Sequence, residues 1–270
     1  MRVLYLNMWV LFFILSSITL AAQSETPVRT SGFFTSFDDV KIYYEVQGEG
    51  FPIVLVHGFI SSGESWKKTI LYRDLLQAGY KVINLDMRGN GKSDKPHVPE
   101  AYEHDAEAKD IMGLLTFLDV KQYSAVGYSR GSIITSRLLL LDTRIKKGVL
   151  GGMGADFTDP EWPRRKMFYK ALMGDAIPEL AAMIKRVKDA GLDQLALAYL
   201  QKGQPSTSHT ELGQIKKPVL VISGDKDLDN GSSQELASLI PTSKHLVVPG
   251  DHGTTRSSQE FSAEVIKFLQ

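Results

Sequence analysis

Cysteine is absent from this chain of 270 residues. Its absence excludes a disulfide framework, a thiolate nucleophile, a thiolate metal site and a lipid-modified cysteine. A chain of this length can bury a core that is stable without disulfide bonds. The missing cysteines therefore do not argue against secretion into an oxidising compartment.

Net charge is absent too, because 31 basic side chains balance 31 acidic ones. Without a global basic field, nucleic acid is not an expected partner. The hydrophobic fraction of 43% and the charged fraction of 23% are ordinary for a globular protein. The length suits one domain, or one domain that carries an insertion.

A hydrophobic run long enough to cross a bilayer is also missing. Mainly apolar residues extend from Met8 to Ala22, after a single charged residue, Arg2, and polar residues follow. The run falls short of the roughly 20 residues that span a bilayer. It has the layout of a secretory signal peptide with cleavage near Ala21, so we predict that residues 1–22 are removed. An uncleaved anchor is the alternative; the favoured reading is a secreted or periplasmic protein without a stable membrane anchor.

Short apolar runs after this segment predict buried strands. Ile53 to His57 is almost continuously apolar, which suits a strand buried on both faces. Similar apolar runs occur at 81–86, 123–127, 148–151, 219–223 and 245–248. Residues 37–47 alternate apolar and polar side chains instead, which predicts a strand with one apolar face. Amphipathic helical patterns lie between them, as at Ile111, Leu114, Leu115 and Leu118. Strands that alternate with helices predict an α/β fold, with a mostly parallel sheet flanked by helices.

One stretch interrupts this alternation. Residues 155–214 contain no convincing strand. A helical pattern within them begins at Pro178 and ends before Gly191, and proline and glycine are common at the start and just past the end of a helix. The stretch is long for a single crossover connection, so an insertion is favoured over one long crossover. We therefore predict a core of residues 23–154 and 215–270, with a helical insertion at 155–214.

A serine lies between two glycines where a predicted strand meets a predicted helix. The segment Gly127-Tyr-Ser-Arg-Gly131 fits the pattern G-x-S-x-G. The pattern alone is weak, because chance gives it in roughly one chain of this length in ten. Its position between strand and helix predicts a tight turn that presents Ser129 at the carboxyl edge of the sheet. We predict that Ser129 is a nucleophile; the alternative is an ordinary turn in which the serine caps the helix.

A serine nucleophile needs a base to take its proton, and the base needs an orienting acid. His252 lies just beyond the last predicted strand, at the same sheet edge as Ser129, and is the candidate base. Asp225 and Asp227 follow the strand at 219–223. Their spacing in the sequence does not decide which of the two aspartates is the orienting acid.

From about Ser36 to its end, the sequence resembles the α/β-hydrolase superfamily, in the serine-nucleophile branch with a small helical cap. The order of serine, acid and histidine along the chain is the one found there. The resemblance is carried by His57-Gly-Phe59, Asp86-Met-Arg-Gly-Asn-Gly-Lys-Ser93, the serine turn, Gly224-Asp-Lys-Asp227 and Gly250-Asp-His252. It implies that Asp227 is the acid, that 155–214 is a cap, and that the Asp86–Ser93 motif is structural.

Acyl transfer passes through an oxyanion that backbone N–H groups stabilise, each by about 3 kcal/mol. The residue after the nucleophile, Arg130, would supply one of them. The resemblance implies that Phe59 supplies the second, and that His57 braces this loop.

The resemblance implies a serine hydrolase that cleaves ester-type bonds of a small or medium-sized substrate through an acyl-enzyme. A serine at this position argues against dehalogenase and epoxide hydrolase chemistry, which use a carboxylate there. No phosphate-binding loop with lysine and no His-Glu-x-x-His pair is present, so we expect no metal and no organic cofactor. The alternatives are an aminopeptidase, a thioesterase, a carbon–carbon bond hydrolase, or a ligand sensor on the same fold.

Apolar residues of the insertion are candidates to line the substrate pocket, although most such residues pack a cap onto its core. The candidates are Phe157, Trp162, Met167, Phe168, Tyr169, Leu172 and Met173. A second pattern gives one helix an apolar face with Leu180, Met183, Ile184 and Val187. Arg186 and its basic neighbours are expected to point away from that face.

Overall fold

The computed structural model describes residues 29–270. The predicted signal peptide at residues 1–22 lies outside them. Within the described residues the strands are Arg29–Thr35 (β1), Lys41–Gln47 (β2), Pro52–Val56 (β3), Lys81–Leu85 (β4), Tyr123–Tyr128 (β5), Ile145–Gly151 (β6), Val219–Gly224 (β7) and Ser243–Val248 (β8). They form one eight-stranded sheet in the order β1-β2-β4-β3-β5-β6-β7-β8. Only the pairings of β2 are antiparallel, so the predicted mostly parallel sheet is confirmed.

Helices cover both faces of this sheet. They are Glu64–Lys67 (α1), Ile70–Gln77 (α2), Ala106–Phe117 (α3), Arg130–Leu141 (α4), Pro163–Met173 (α5), Ala181–Asp189 (α6), Gln194–Lys202 (α7), His209–Leu212 (α8), Ser233–Ser238 (α9) and Gln259–Leu269 (α10). Among residues 29–270, none of the helices has the length and apolar character needed to cross a bilayer.

The continuously apolar strands are buried on both faces. Ile53 and Leu55 of β3 pack with residues of α2 and α10. Val54 and Val56 point to the other face and pack with residues of α3 and α4. Because successive side chains of a strand point to opposite faces, an apolar run without alternation requires a cover on each side.

The first strand of the sheet was not predicted from the sequence. β1 pairs only with β2 and is an edge strand. Most of its side chains are exposed or half-buried, and Phe33 is 54% exposed. An edge strand with little buried surface carries a weak apolar pattern, so nothing in the sequence marked it.

Helices and turns occupy the chain between β6 and β7, where the insertion at 155–214 was predicted. α5 to α8 lie there, and this part of the described chain contains no strand. Pro178 opens a 3₁₀ turn that leads into α6, rather than α6 itself. Gly191 follows α6 with φ of +60°, a backbone conformation that favours glycine.

A buried arginine joins three segments of the core beside the sheet. The Arg88 side chain is 0% exposed and lies 2.6 Å from Asp110 of α3 and 2.7 Å from Asp38. It also donates to the carbonyl oxygen of Ala101. Ser36 donates to the same Asp110 carboxylate. This cluster gives the motif around Arg88 a structural role.

Replacing Arg88 with methionine is expected to lower the free energy of unfolding by about 3–5 kcal/mol, because it leaves buried Asp110 without its cation. Urea denaturation of the purified variant measures this loss. Arg73→Met is the control, because Arg73 is 58% exposed in its pair with Asp74. That change should cost about 1 kcal/mol or less, and similar losses for both variants would contradict the assigned role.

Candidate active site

A single residue connects β5 to α4. β5 ends at Tyr128 and α4 begins at Arg130, so Ser129 makes the turn. Its φ of +55° is a strained conformation for a residue other than glycine, at a cost of about 1–3 kcal/mol. The Ser129 N–H donates to the carbonyl of Gly151 at 2.7 Å, which fixes the turn against β6.

The two glycines of the motif make this turn sterically possible. A Cβ atom on Gly127 would lie 2.3 Å from the carbonyl oxygen of Gly131. A Cβ atom on Gly131 would lie 2.1 Å from the carbonyl oxygen of Val56 in β3. Larger residues would therefore push the start of α4 away from the sheet, and Ser129 with it.

The structure brings together the three side chains that the sequence analysis predicted. His252 Nε2 lies 3.0 Å from Ser129 Oγ. His252 Nδ1 lies 3.0 Å from each carboxylate oxygen of Asp227. The Asp227 side chain is 3% exposed and the His252 side chain 29% exposed, so the chain of contacts runs from the interior to an accessible serine. A proton on Nδ1 is held by Asp227, which leaves Nε2 free to accept the proton of Ser129.

The neighbouring aspartate points elsewhere. Asp225 accepts a hydrogen bond from the Gly250 N–H at 2.9 Å, and its own N–H donates to the carbonyl of Val248. It therefore braces the loop that carries His252 without contacting the imidazole ring.

The loop after β3 passes directly against the serine. A Cβ atom on Gly58 would lie 3.2 Å from Ser129 Cβ and 3.7 Å from Ser129 Oγ. Phe59 follows Gly58 in this loop, and Arg130 follows Ser129 at the start of α4. Within residues 29–270, neither backbone N–H donates to a protein acceptor, which leaves both available to an oxyanion.

His57 holds this loop in place. Its Nε2 accepts the N–H of Met87 at 3.1 Å, so its Nδ1–H donates to the carbonyl of Gly58 at 2.8 Å. Burial lowers the pKa of His57, and the ring is neutral. Both ring nitrogens are occupied, which fits bracing and not base catalysis.

A cavity of about 290 Å³ is lined by Ser129 and His252. The core contributes Phe59 and Met153, and the helical stretch between β6 and β7 contributes apolar Trp162, Phe168 and Met183. The reactive serine thus faces a partly open cavity bounded by both parts of the chain. In the part of the chain that the structure describes, no group of three or more His, Cys, Asp or Glu side chains could hold a metal ion.

Residues 52–202, more than half of the chain, match the family model described as alpha/beta hydrolase fold. The chain belongs to the α/β-hydrolase family. The prediction of an enzyme with this fold is thereby confirmed.

Several known α/β-hydrolases resemble this one along most of their length. A Synechocystis sp. protein, provisionally named as a non-heme chloroperoxidase, is 31% identical over 245 residues, which cover 78% of this chain and 87% of that protein. A bromoperoxidase structure from Bacillus anthracis has a TM-score of 0.71 at 25% identity and covers 89% of this chain and 99% of its own. An esterase structure from Exiguobacterium antarcticum has a TM-score of 0.75 at 21% identity, with the same coverage, and shows the shared fold.

Two contacts of the α/β-hydrolase site were missed by the sequence analysis. Asn230 is buried, donates to the carbonyl of Gly152 at 3.2 Å, and lies 3.5 Å from His252 Nδ1. The Tyr128 hydroxyl donates to the carbonyl of His252 at 2.8 Å. Tyr128 occupies a variable position of the serine motif and Asn230 lies in an irregular loop, so no sequence signal pointed to either.

The candidate lining residues of the insertion have different surroundings. Trp162 and Phe168 line the α/β-hydrolase cavity, and Trp162 also packs in the same hydrophobic cluster as Phe157. The other candidates do not line it: they are Phe157 and Leu172, which are buried, Met173, which is 48% exposed, and Met167 and Tyr169. Periodicity distinguishes an apolar face from a polar one but does not show what that face covers.

Proposed function

We propose that this α/β-hydrolase cleaves carboxylic-ester bonds of a small or medium-sized substrate through an acyl-enzyme intermediate. The proposal rests on the two contacts of His252, to Ser129 on one side and to Asp227 on the other, each at 3.0 Å. This arrangement activates a hydroxyl at neutral pH, which a serine alone does not achieve.

Each side chain of the site has a step in this reaction. Ser129 Oγ attacks the ester carbonyl carbon while His252 Nε2 takes its proton. The backbone N–H groups of Phe59 and Arg130 stabilise the negative oxygen that forms. His252 then gives the proton to the departing alcohol, which leaves an acyl group on Ser129. Water, deprotonated by His252, attacks this acyl group and releases the acid.

The cavity limits the substrate by size. Its volume of about 290 Å³ lies just below the usual range for ligand pockets, roughly 300–1,000 Å³. An ester of one short acyl chain and one small alcohol fills such a space.

Covalent trapping tests the proposal directly. A fluorophosphonate probe, and an ester that deacylates slowly, should each add their mass to the peptide that contains Ser129. Matched ester, thioester and anilide substrates then separate the related hydrolases by kcat/KM. Binding of esters with no acyl adduct and no turnover would support the ligand sensor instead.

The names of several relatives favour a second candidate, haloperoxidase-type activity. Hydrogen peroxide in place of water would convert the acyl group on Ser129 into a peracid and regenerate the hydroxyl, and the peracid would then oxidise a halide. Bromination of a reporter compound in acetate buffer with peroxide and bromide tests this activity. A dependence on both acetate and Ser129 would support it, and bromination that persists without either would exclude this route.

We also propose that the protein is exported, on the strength of the apolar segment that begins at Met8. N-terminal sequencing of the protein from the periplasm or the medium should give a new terminus near Gln23. An intact Met1 terminus in the membrane fraction would support an anchor.

Phe168 is expected to control which acyl chain is accepted. Its ring contacts Phe59 edge-to-face, with centroids 5.8 Å apart, and it lines the cavity beside the serine. Phe168→Ala should shift the kcat/KM ratio between long-chain and short-chain esters by about 10-fold or more, because a few methylenes in a pocket are worth that much. Esters of increasing acyl length measure the shift.

Leu172→Ala provides the control for this prediction. Leu172 lies on the same helix, α5, but is 2% exposed and is not among the residues that line the cavity. Its truncation should cost about 2–5 kcal/mol of stability without changing the acyl preference. A large loss of stability in Phe168→Ala with an unchanged substrate profile would show that Phe168 is core packing.

A further inference from the structure

Cationic side chains from the helical stretch line the cavity beside the serine. They are Arg164 and Arg165 of α5 and Arg186 of α6. Among the described residues that line this cavity, none is an aspartate or a glutamate. The apolar walls of a cavity strengthen the field of charges at its surface, so this space attracts anions.

Arg165 is half-buried and is held by backbone carbonyls rather than by a carboxylate. It donates to the carbonyl of Gln204 at 2.9 Å and to the carbonyl of Pro160. In the described part of the chain it forms no ion pair. A guanidinium has five N–H donors, so others remain for a ligand. Burial lowers the pKa of Arg165, and an anion beside it would offset that cost.

The other two arginines are weakly paired or unpaired. The guanidinium of Arg164 lies 5.1 Å from the centre of the Phe168 ring and 3.8 Å from Asp229. Arg186 is exposed and has no ion pair with a residue of the described range 29–270. The charge of Arg164 is therefore partly balanced by Asp229, and the charge of Arg186 is not balanced by an ion pair among the described residues.

Two buried amides line the same cavity. Gln201 and Gln204 are each 5% exposed. Their side chains make no hydrogen bond to any residue in the range 29–270. Neither amide is among the fully occluded polar groups without a partner, so both keep some access to the cavity that they line. An amide in this position can donate to, or accept from, a polar group of a ligand bound there.

We propose that the substrate ester carries a carboxylate, held by Arg165 and the amides of Gln201 and Gln204 and attracted by Arg164 and Arg186. This inference rests on the proposed function and names its substrate class. A guanidinium binds a carboxylate and a phosphate alike. The small cavity, of about 290 Å³, favours the carboxylate because it is the smaller anion.

Matched esters test the inference by kinetics. Monomethyl adipate is compared with the methyl ester in which an isopropyl group replaces the carboxylate, and para-acetoxybenzoate with its neutral methyl ester. The first pair places the charge on the acyl side and the second on the alcohol side. In one of the two pairs, the kcat/KM of the charged ester should exceed that of its neutral partner by about tenfold or more, mainly because its KM is lower. This advantage should fall at high salt.

Two variants link this preference to the site. Gln204→Glu is nearly isosteric and should abolish the advantage by placing a negative charge there. Arg186→Gln should reduce the kcat/KM advantage of the charged ester by about threefold. Lys188→Gln is the control, because it removes the same charge from α6 at a residue that lines a different cavity, and it should leave that advantage unchanged. Arg165→Gln is less informative because Arg165 also supports two backbone carbonyls.

Direct binding separates this inference from the proposed function. Calorimetry with the Ser129→Ala variant measures binding of adipate, which requires no turnover. Binding that Gln204→Glu abolishes supports the carboxylate site even if no ester is cleaved. Hydrolysis of neutral and charged esters at equal rates, with no adipate binding, overturns the carboxylate site and leaves the ester hydrolase standing.

Discussion

Ser129→Ala is expected to lower kcat for ester hydrolysis by about 10⁴- to 10⁶-fold, with KM nearly unchanged. The hydroxyl that forms the acyl-enzyme is lost, while the cavity that binds the substrate is not altered. The activity that remains reflects binding and the backbone N–H groups of Phe59 and Arg130. Steady-state hydrolysis of an activated aryl ester, corrected for the spontaneous rate, measures the effect.

Ser132→Ala is the matched control for this substitution. Ser132 lies one turn into the same helix and donates to the carbonyl of Gly151 at 2.8 Å. Its loss should cost about 1 kcal/mol of stability and leave kcat close to that of the unmodified enzyme. Undiminished turnover by Ser129→Ala, or covalent labelling of another serine, would show that the nucleophile has been assigned wrongly.

The sequence predicted those elements whose signal is local. Strands β3 to β8 could be recognised because most are apolar on both faces, whereas the exposed edge strand β1 could not. The serine turn was recognised because two glycines, a strand and a helix adjoin it. Ser129 and His252 are far apart in sequence, but both follow strands of one parallel sheet, and the carboxyl ends of such strands share an edge.

Features that depend on tertiary packing were not predictable. Arg186 was expected to point away from the apolar face of its helix, yet it lines the cavity together with Met183. Residues three apart lie on neighbouring parts of a helix surface, so a boundary position can belong to either face. The contacts of Asn230 and of Gln204 likewise arise between segments that are distant in the chain.

The choice between Asp225 and Asp227 shows the same limit at shorter range. Both aspartates follow the same strand, two positions apart, and each could reach the edge where His252 lies. The loop geometry directs one carboxylate to the imidazole and the other to the Gly250 N–H. Spacing in the sequence cannot distinguish these directions, which is why the family resemblance was needed for the prediction.

Asp227→Asn is therefore expected to lower kcat by about 10⁴-fold. An asparagine amide can donate to Nδ1 of His252, which places the ring proton on Nε2. Nε2 then cannot accept the proton of Ser129, although the positions of all three side chains are retained. Pre-steady-state acylation with an aryl ester should show that formation of the acyl-enzyme is slowed by this factor.

Asp225→Asn makes the same chemical change two residues away and is the control. The Oδ1 atom of an asparagine can still accept the Gly250 N–H, so the loss should be less than about tenfold, within the range of a weakened loop contact. The reverse ranking of the two variants would move the acid to Asp225. Mild losses in both would show that neither carboxylate is needed to orient His252. Asn230 could not take over that role in its present orientation, because the atom that lies 3.5 Å from Nδ1 is its Nδ2, a donor.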